Sequence, residues 1–489
     1  MNVQALLNEA SLHQNNGDIA TAIACLERVL EYMPNNVQAL NSLGALLYGE
    51  RRFIVARNLF IRAVRAAPDQ ALSWTNLGSA HHELGDFKRA IDCHRRAIRL
   101  DPEYATAFAN LGNTYDFLQE TELAVYARRQ ALNFSRTAAN MRSLARSYRA
   151  VGRYDRCRNL LLEAKELDPA NIHVHFDLAL VHLCLEEWQQ GFDEYEWRYQ
   201  RKEMDEIKEL LADILDKPQY SDQDLSEATL LLYTEQGYGD NMLFARFVNM
   251  IRPQVGRLIM YCRPGLGRLF ESSLPLDEVV ENTEALPEFD YQLPLLSIPR
   301  AFDLDTAFIH KPGAYLAADT DDQDAEVIGS TDVKVGLVWS VSDTGYDYRN
   351  KKIPLGELTG LIDTPGVQFY SLQVGDDSTE IDEAGLQHKL LSPGTSLNDF
   401  ADTARVVESL DLVISVDTSV AHLTGAMNKK VWVVAKKEPY WVWQADGDRC
   451  AWYPSARVYR QFSPGVWADV IRRLERDLLE FVEERQDPT

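Results

Sequence analysis

The sequence predicts an α plus α/β protein: a helical repeat array at the N-terminus, then two doubly wound α/β blocks. Three observations predict it. Pro34, Pro68 and Pro102 recur every 34 residues, strands and helices alternate through residues 226–489, and Asp411 to Val434, DLVISVDTSVAHLTGAMNKKVWVV, reads as buried strand, polar turn, helix and buried strand. A chain of 489 residues is also too long for one hydrophobic core, and ordinary domain sizes suggest about three domains.

A 34-residue period of this kind is two antiparallel helices. Gly17, Arg51 and Gly85 each stand 17 residues before a proline of the series. Small residues at Ala10, Gly44, Gly78 and Gly112 let the first helix approach the second, Ala22, Ala56, Ala90 and Ala124 do the same from the second, and proline ends each unit. One residue is lost in the fourth unit. The register resumes with Ala145, Gly152 and Pro169, and an irregular sixth unit runs through Ala179 to Arg198. The pattern resembles the tetratricopeptide repeat family over residues 1–198. The resemblance implies a superhelix whose first helices line a concave groove suited to an extended peptide. Asn76 and Asn110, two residues before the small residue of their helices, are candidate acceptor-groove contacts, because a carboxamide both donates and accepts hydrogen bonds. The alternative is that they are solvated helix positions.

Charge narrows the partners. The net charge is −24, and residues 201–489 carry 28 basic and 50 acidic side chains against 22 and 24 in residues 1–200. So acidic a body repels nucleic acid and anionic membrane. Residues 51–158 reverse the sign, with 19 basic and 10 acidic side chains, a surface for an acidic partner or simply a solvated one. No apolar run is long enough to span a membrane and the N-terminus lacks the regions of a signal peptide, so a cytoplasmic location is expected. Six cysteines are scattered without metal-ligand spacing, which indicates buried thiols and no metal site.

After the array, residues 199–225 read as a charged helix and linker. A first α/β block over 226–328 opens with the strand ATLLLYT, followed at once by Glu235-Gln236-Gly237-Tyr238-Gly239-Asp240 and a helical pattern. Glycines at such a turn permit close approach of a ligand. A second block over 329–489 opens with VKVGLVWS, passes through VQFYSLQV and ADTARVVESL to the Asp411–Val434 unit, and ends in a helix that closes the domain. Asp417-Thr418-Ser419 there stands at a helix N-terminus, where unpaired N–H groups and the helix dipole favour an anion; a plain N-cap is the alternative. Ligands of doubly wound sheets bind beyond the carboxyl ends of the strands.

The repeats, GFDEYEWR, EQGYGD, VGLVWS, SLQ, ISVDTSVAHLTGA and AWYPSARVYRQ, in that order, resemble bacterial repeat-containing glycosyltransferases. The catalytic half is similar to lipopolysaccharide heptosyltransferases and, distantly, to O-linked N-acetylglucosamine transferase. The resemblance implies two Rossmann-like domains of the GT-B type, an inverting, metal-independent transfer without a cofactor, and a nucleotide-sugar as co-substrate. Asp240 matches the family's candidate general base, with Glu235 as the alternative base and a helix N-cap as the other reading of Asp240. Thr418 and Ser419 match the diphosphate-binding turn, Asp417 its neighbouring carboxylate, and His422 a phosphate or sugar contact or else a core histidine. Lys351 falls where the family places its phosphate cation, with Arg349 and Lys352 as further candidates; relatives commonly have Arg-Ser at 351–352, so a point charge replaces a bidentate group here. Gln373 is a candidate nucleotide contact. Trp441, Trp443, Trp452 and Tyr453 are either base-stacking or packing residues.

The resemblance implies a sugar transferase whose acceptor is a protein, such as a surface or flagellar subunit, recruited by the repeats. Two alternatives stand beside it: a scaffold whose transferase half has decayed, and an enzyme acting on a glycan or lipid-linked acceptor. Homo-oligomerisation is open, since the first repeat lacks an obvious polar cap.

Overall fold

A computed structural model describes residues 2–311, 313–319, 332–341, 351–393 and 396–486. The chain forms two compact units that divide between Val174 and His175.

The N-terminal unit is a superhelix of paired helices: α1 (Val3–Asn15), α2 (Ile19–Tyr32), α3 (Val37–Gly49), α4 (Phe53–Ala66), α5 (Ala71–Glu83), α6 (Phe87–Leu100), α7 (Ala105–Phe117), α8 (Thr121–Phe134), α9 (Ala138–Ala150) and α10 (Tyr154–Leu167). The turn inside each pair needs a left-handed residue, supplied by Gly17, Gly85 and Gly152 and, at a steric cost, by Arg51 and Gln119. Ala22, Ala56, Ala90 and Ala124 are fully buried. The glycines of the first helices have one task. A Cβ at Gly44 would lie 2.4 Å from the Phe60 ring, one at Gly78 2.6 Å from His94, and one at Gly112 2.8 Å from the Arg128 stem. Each glycine is therefore the floor on which a large side chain of the second helix lies.

The second unit holds two parallel sheets. In the first, β1 (Thr229–Tyr233), β2 (Arg257–Tyr261), β3 (Glu278–Val280) and β4 (Tyr291–Pro294) run in the order β3-β2-β1-β4. In the second, β5 (Val333–Val338), β6 (Val367–Ser371), β7 (Leu390–Leu391), β8 (Leu412–Val416), β9 (Val431–Ala435) and β10 (Ala456–Arg460) run β10-β9-β8-β5-β6-β7. β8 and β9 are buried throughout, as strands covered on both faces must be. Strand order reverses between β1 and β4 in one sheet and between β5 and β8 in the other. Switch points of this kind, where adjacent connections leave in opposite directions, are where doubly wound sheets take their ligands. The EQGYGD turn follows β1 and Asp417-Thr418 follows β8.

Two features depart from the sequence reading. The irregular pair of helices Ile172–Cys184 and Trp188–Tyr195, expected to end the array at residue 198, falls almost wholly within the second unit. Its aromatic residues explain why: Trp188 and Phe192 meet Trp452, and Phe192 also meets Phe244. The expected charged linker is docked, with Leu211 and Ile214 buried in a cluster that includes Leu231, Tyr233 and Ile259. The C-terminal helix Ala468–Gln486 buries Leu474, Leu478 and Phe481 in the core of the six-stranded sheet. Among the described residues no helix is long and apolar enough to cross a membrane.

Candidate functional site

The site grows from two strand-to-helix turns. After β1, Gln236 takes a positive φ of 56° and the chain turns into the helix Tyr238–Ala245. Gln236 is fixed by the Tyr195 hydroxyl, which donates to its Oε1 at 2.9 Å, and by Arg263, which donates to its carbonyl. Gly239 then lies against His422 so closely that a Cβ would sit 2.5 Å from the imidazole Cδ2. This close approach brings the helix Tyr238–Ala245 against the helix Ser419–Ala426, which follows β8.

Asp240 stands in the first turn of its helix and is held at both oxygens. Oδ2 accepts the Gly237 N–H at 3.2 Å and Oδ1 accepts the Tyr440 hydroxyl at 2.7 Å. Desolvation raises its pKa, the two hydrogen bonds lower it, the Asp417 charge raises it and Lys351 lowers it; the balance is a carboxyl above its ordinary range. Asp417 has the opposite balance. Burial pushes it up, but the Lys351 ammonium 2.7 Å from Oδ2 and the Trp443 Nε1–H donating to Oδ1 at 2.6 Å hold it below the ordinary carboxylate range. The two carboxylates thus share one electrostatic neighbourhood with pKa values displaced in opposite directions.

The other candidates take varied places. Thr418 is the N-cap of its helix, yet its side chain turns to Ser415 Oγ at 2.9 Å and caps none of the first-turn amides; Thr418 and Ser419 remain partly exposed. His422 is buried, its Nδ1 paired with the Tyr453 hydroxyl at 3.0 Å, and burial brings its pKa down to about 4, so it is neutral at pH 7. Gln373 is engaged with backbone: its Oε1 accepts the Trp339 and Ser340 N–H groups and its Nε2 donates to the Val374 carbonyl. Lys352 pairs with Asp377 and with Glu380. Arg349 lies outside the described residues. Trp441, Trp443, Trp452 and Tyr453 are buried, Trp443 and Tyr453 being the partners of Asp417 and His422.

Glu235 is 1% exposed and gripped by Arg198, whose Nε lies 3.2 Å from both carboxylate oxygens and whose Nη2 lies 2.6 Å from Oε1. Arg198 also meets Glu196 and Ser297. Both carboxylate oxygens of Glu235 are thus taken up by Arg198, which ties the turn after β1 to the segment Glu196–Gln200. Ser297 and Glu196 also line a separate cleft of about 480 Å³ with Gln219, Tyr220 and Arg300.

In the N-terminal unit, Asn76 donates to Asn41 Oδ1 at 3.1 Å and Asn110 to Ser79 Oγ at 3.0 Å. Both amides thus donate to the preceding repeat. The residues that sequence reading passed over are Tyr440 and Tyr195, whose roles depend on contacts 200 and 41 positions away in the chain.

Fold and site together define a protein with tetratricopeptide-type helical repeats at its N-terminus and a parallel-sheet α/β region after them. A family model described as "Cilia and flagella-associated protein 70 C-terminal domain" matches residues 1–230. Over nearly its full length the chain is similar to Protein FlbA of Caulobacter vibrioides, 26% identical over 512 residues that cover 96% of this chain and 83% of that protein. Among solved structures, the chain is similar to TTC0263, a thermophilic tetratricopeptide protein in Thermus thermophilus, at 23% identity, covering 37% of this chain and 100% of that one with a TM-score of 0.35. It is also similar to MamA, at 26% identity over 34% of this chain and 92% of that one, TM-score 0.30. The repeats make the N-terminal unit a scaffold for protein–protein interaction.

Proposed function

We propose that the second unit is an inverting glycosyltransferase of two Rossmann-like lobes, and that the repeats recruit a protein acceptor in the cytoplasm. The observation that carries this reading is the meeting of Asp240 with Asp417 and Lys351 at the switch points of two parallel sheets. Asp240, with its raised pKa, suits a general base that takes the proton of the acceptor hydroxyl. The acceptor oxygen then bonds to the anomeric carbon as the bond from that carbon to the nucleoside diphosphate breaks, and the electron pair leaves with the diphosphate. Uncapped amides of Thr418 and Ser419 and the Lys351 ammonium would meet the charge that develops there.

Incubating the protein with labelled uridine, guanosine, adenosine and cytidine diphosphate sugars and an extract of the source cells tests the reading. The expected result is protein-bound label with one donor, lost in Asp240→Asn. No label with any donor would overturn it.

A scaffold without transfer activity has one observation in its favour: Lys351 and Lys352 are both engaged by carboxylates, so a diphosphate must compete for either. Nucleotide binding separates the two readings.

A further inference from the structure

One short segment supplies a hydrogen-bond donor to each carboxylate of the site. Beyond β9 the chain reaches Tyr440 and a single 3-10 turn, Trp441–Trp443, closed by the Trp443 N–H donating to the Tyr440 carbonyl at 3.0 Å. Residues three apart on such a turn stand on one side of it. Tyr440 accordingly reaches Asp240 Oδ1 at 2.7 Å and Trp443 reaches Asp417 Oδ1 at 2.6 Å. Asp240 belongs to the turn after β1, in the four-stranded sheet, whereas Tyr440 follows β9, in the six-stranded sheet. The phenol therefore spans from one sheet's connections to the other's. Packing fixes the segment from behind, since Trp441, Val442 and Trp443 are buried and Trp441 lies against Phe244 and Trp452.

We propose that Tyr440 is a positioning residue for Asp240: by occupying Oδ1 from the opposite lobe, it directs the proton of the acceptor to Oδ2 and fixes the orientation of the reactive carboxylate. The inference rests on the transferase reading. Among the described residues Oδ2 receives the 3.2 Å bond from Gly237 N–H, and a carboxylate oxygen has two lone pairs, so one remains for the acceptor hydroxyl. Tyr440 stays a donor throughout, because burial and the neighbouring Asp240 charge keep its phenol well above its ordinary range. The groups that face Asp240 are Tyr440 and Gly237 N–H by hydrogen bond, Asp417 and Lys351 by charge, with the Tyr195 hydroxyl near enough to feel the Asp240 charge and the neutral His422 against Gly239. Of these, the Tyr440 bond is the largest influence holding Asp240 down against desolvation.

The test is Tyr440→Phe, which keeps the ring and deletes the donor. In the transfer reaction the acid limb of kcat moves to higher pH by about one unit, so the rate on that limb falls about tenfold while the alkaline plateau and the donor KM hold. A merely structural role predicts a uniform loss at all pH values. An activity-free readout separates this inference from the transferase reading. In protein labelled with carboxyl-13C aspartate, the resonance absent from Asp240→Asn titrates with a midpoint that rises in Tyr440→Phe and stays in place in Trp443→Phe. A midpoint that is unmoved in Tyr440→Phe, or displaced as far in Trp443→Phe, overturns the proposal. A shifted midpoint in a protein that transfers no sugar upholds the Tyr440 contact and sinks the enzymatic reading alone.

Discussion

His94 lies directly upon Gly78: a Cβ at that glycine would come within 2.6 Å of the imidazole Cε1. The same place in the preceding repeat is taken by Phe60 over Gly44 and in the following one by Arg128 over Gly112. Arg128 is paired with Asp116, Ser147 and Asn113. His94 is fully buried and neither ring nitrogen has a hydrogen-bond partner among the described residues.

This makes His94 a weak point with a pH signature. Burial brings its pKa down from 6.5 to about 3. In the unfolded chain the ring binds a proton first, so stability is intact above about pH 6.5 and falls as pH drops toward 3. His94→Phe, which copies the Phe60 arrangement of the preceding repeat, is expected to raise Tm at pH 7, since a buried unsatisfied nitrogen costs about 1–3 kcal/mol. The gain grows by about 2 kcal/mol at pH 5. Thermal denaturation of both proteins at the two pH values checks it; an equal gain at both would show that protonation of His94 plays no part.

Gly239→Ala is expected to damage the site. Its methyl group would press on an imidazole that the Tyr453 hydroxyl already fixes, and overpacking of this kind costs about 1–3 kcal/mol. Urea denaturation reads the stability loss. A variant as stable as the wild type would mean that the two helices separate readily at this point.

Arg198 and Glu235 form a buried ion pair, and removing one partner strands the other. Arg198→Met alone is expected to cost about 3–5 kcal/mol, and Arg198→Met with Glu235→Gln to recover most of it. A double-mutant cycle by chemical denaturation measures the coupling; additive losses would contradict the pairing.

The repeats were legible because their signal is local: small residues and prolines at a fixed period decide helix packing within tens of residues. The parallel strands were legible for the same reason, as apolar runs such as LVISV and VWVVA. The limits of the array were less so. Trp188, Phe192 and Arg198 continue the repeat pattern in sequence, yet their partners are Trp452, Phe244 and Glu235, far along the chain. Asp240 and Asp417 stood out by their turns, whereas the side chains that set their charge, Tyr440 and Trp443, looked like any aromatic cluster until the fold brought them across. Glu235 shows the converse. Its place beside a glycine-rich turn suggested chemistry, whereas its Arg198 partner, 37 positions away, is invisible in the local pattern.

On the transferase reading, the turns that carry Asp240 and Asp417, with Lys351, bind an activated sugar by its diphosphate. Calorimetric titration of the full-length protein with uridine, adenosine, guanosine and cytidine diphosphates tests it most directly. One of the four is expected to bind, and Lys351→Ala to weaken that binding about tenfold or more, roughly 1.4 kcal/mol. Absence of binding by all four, or binding that Lys351→Ala leaves unchanged, would contradict it.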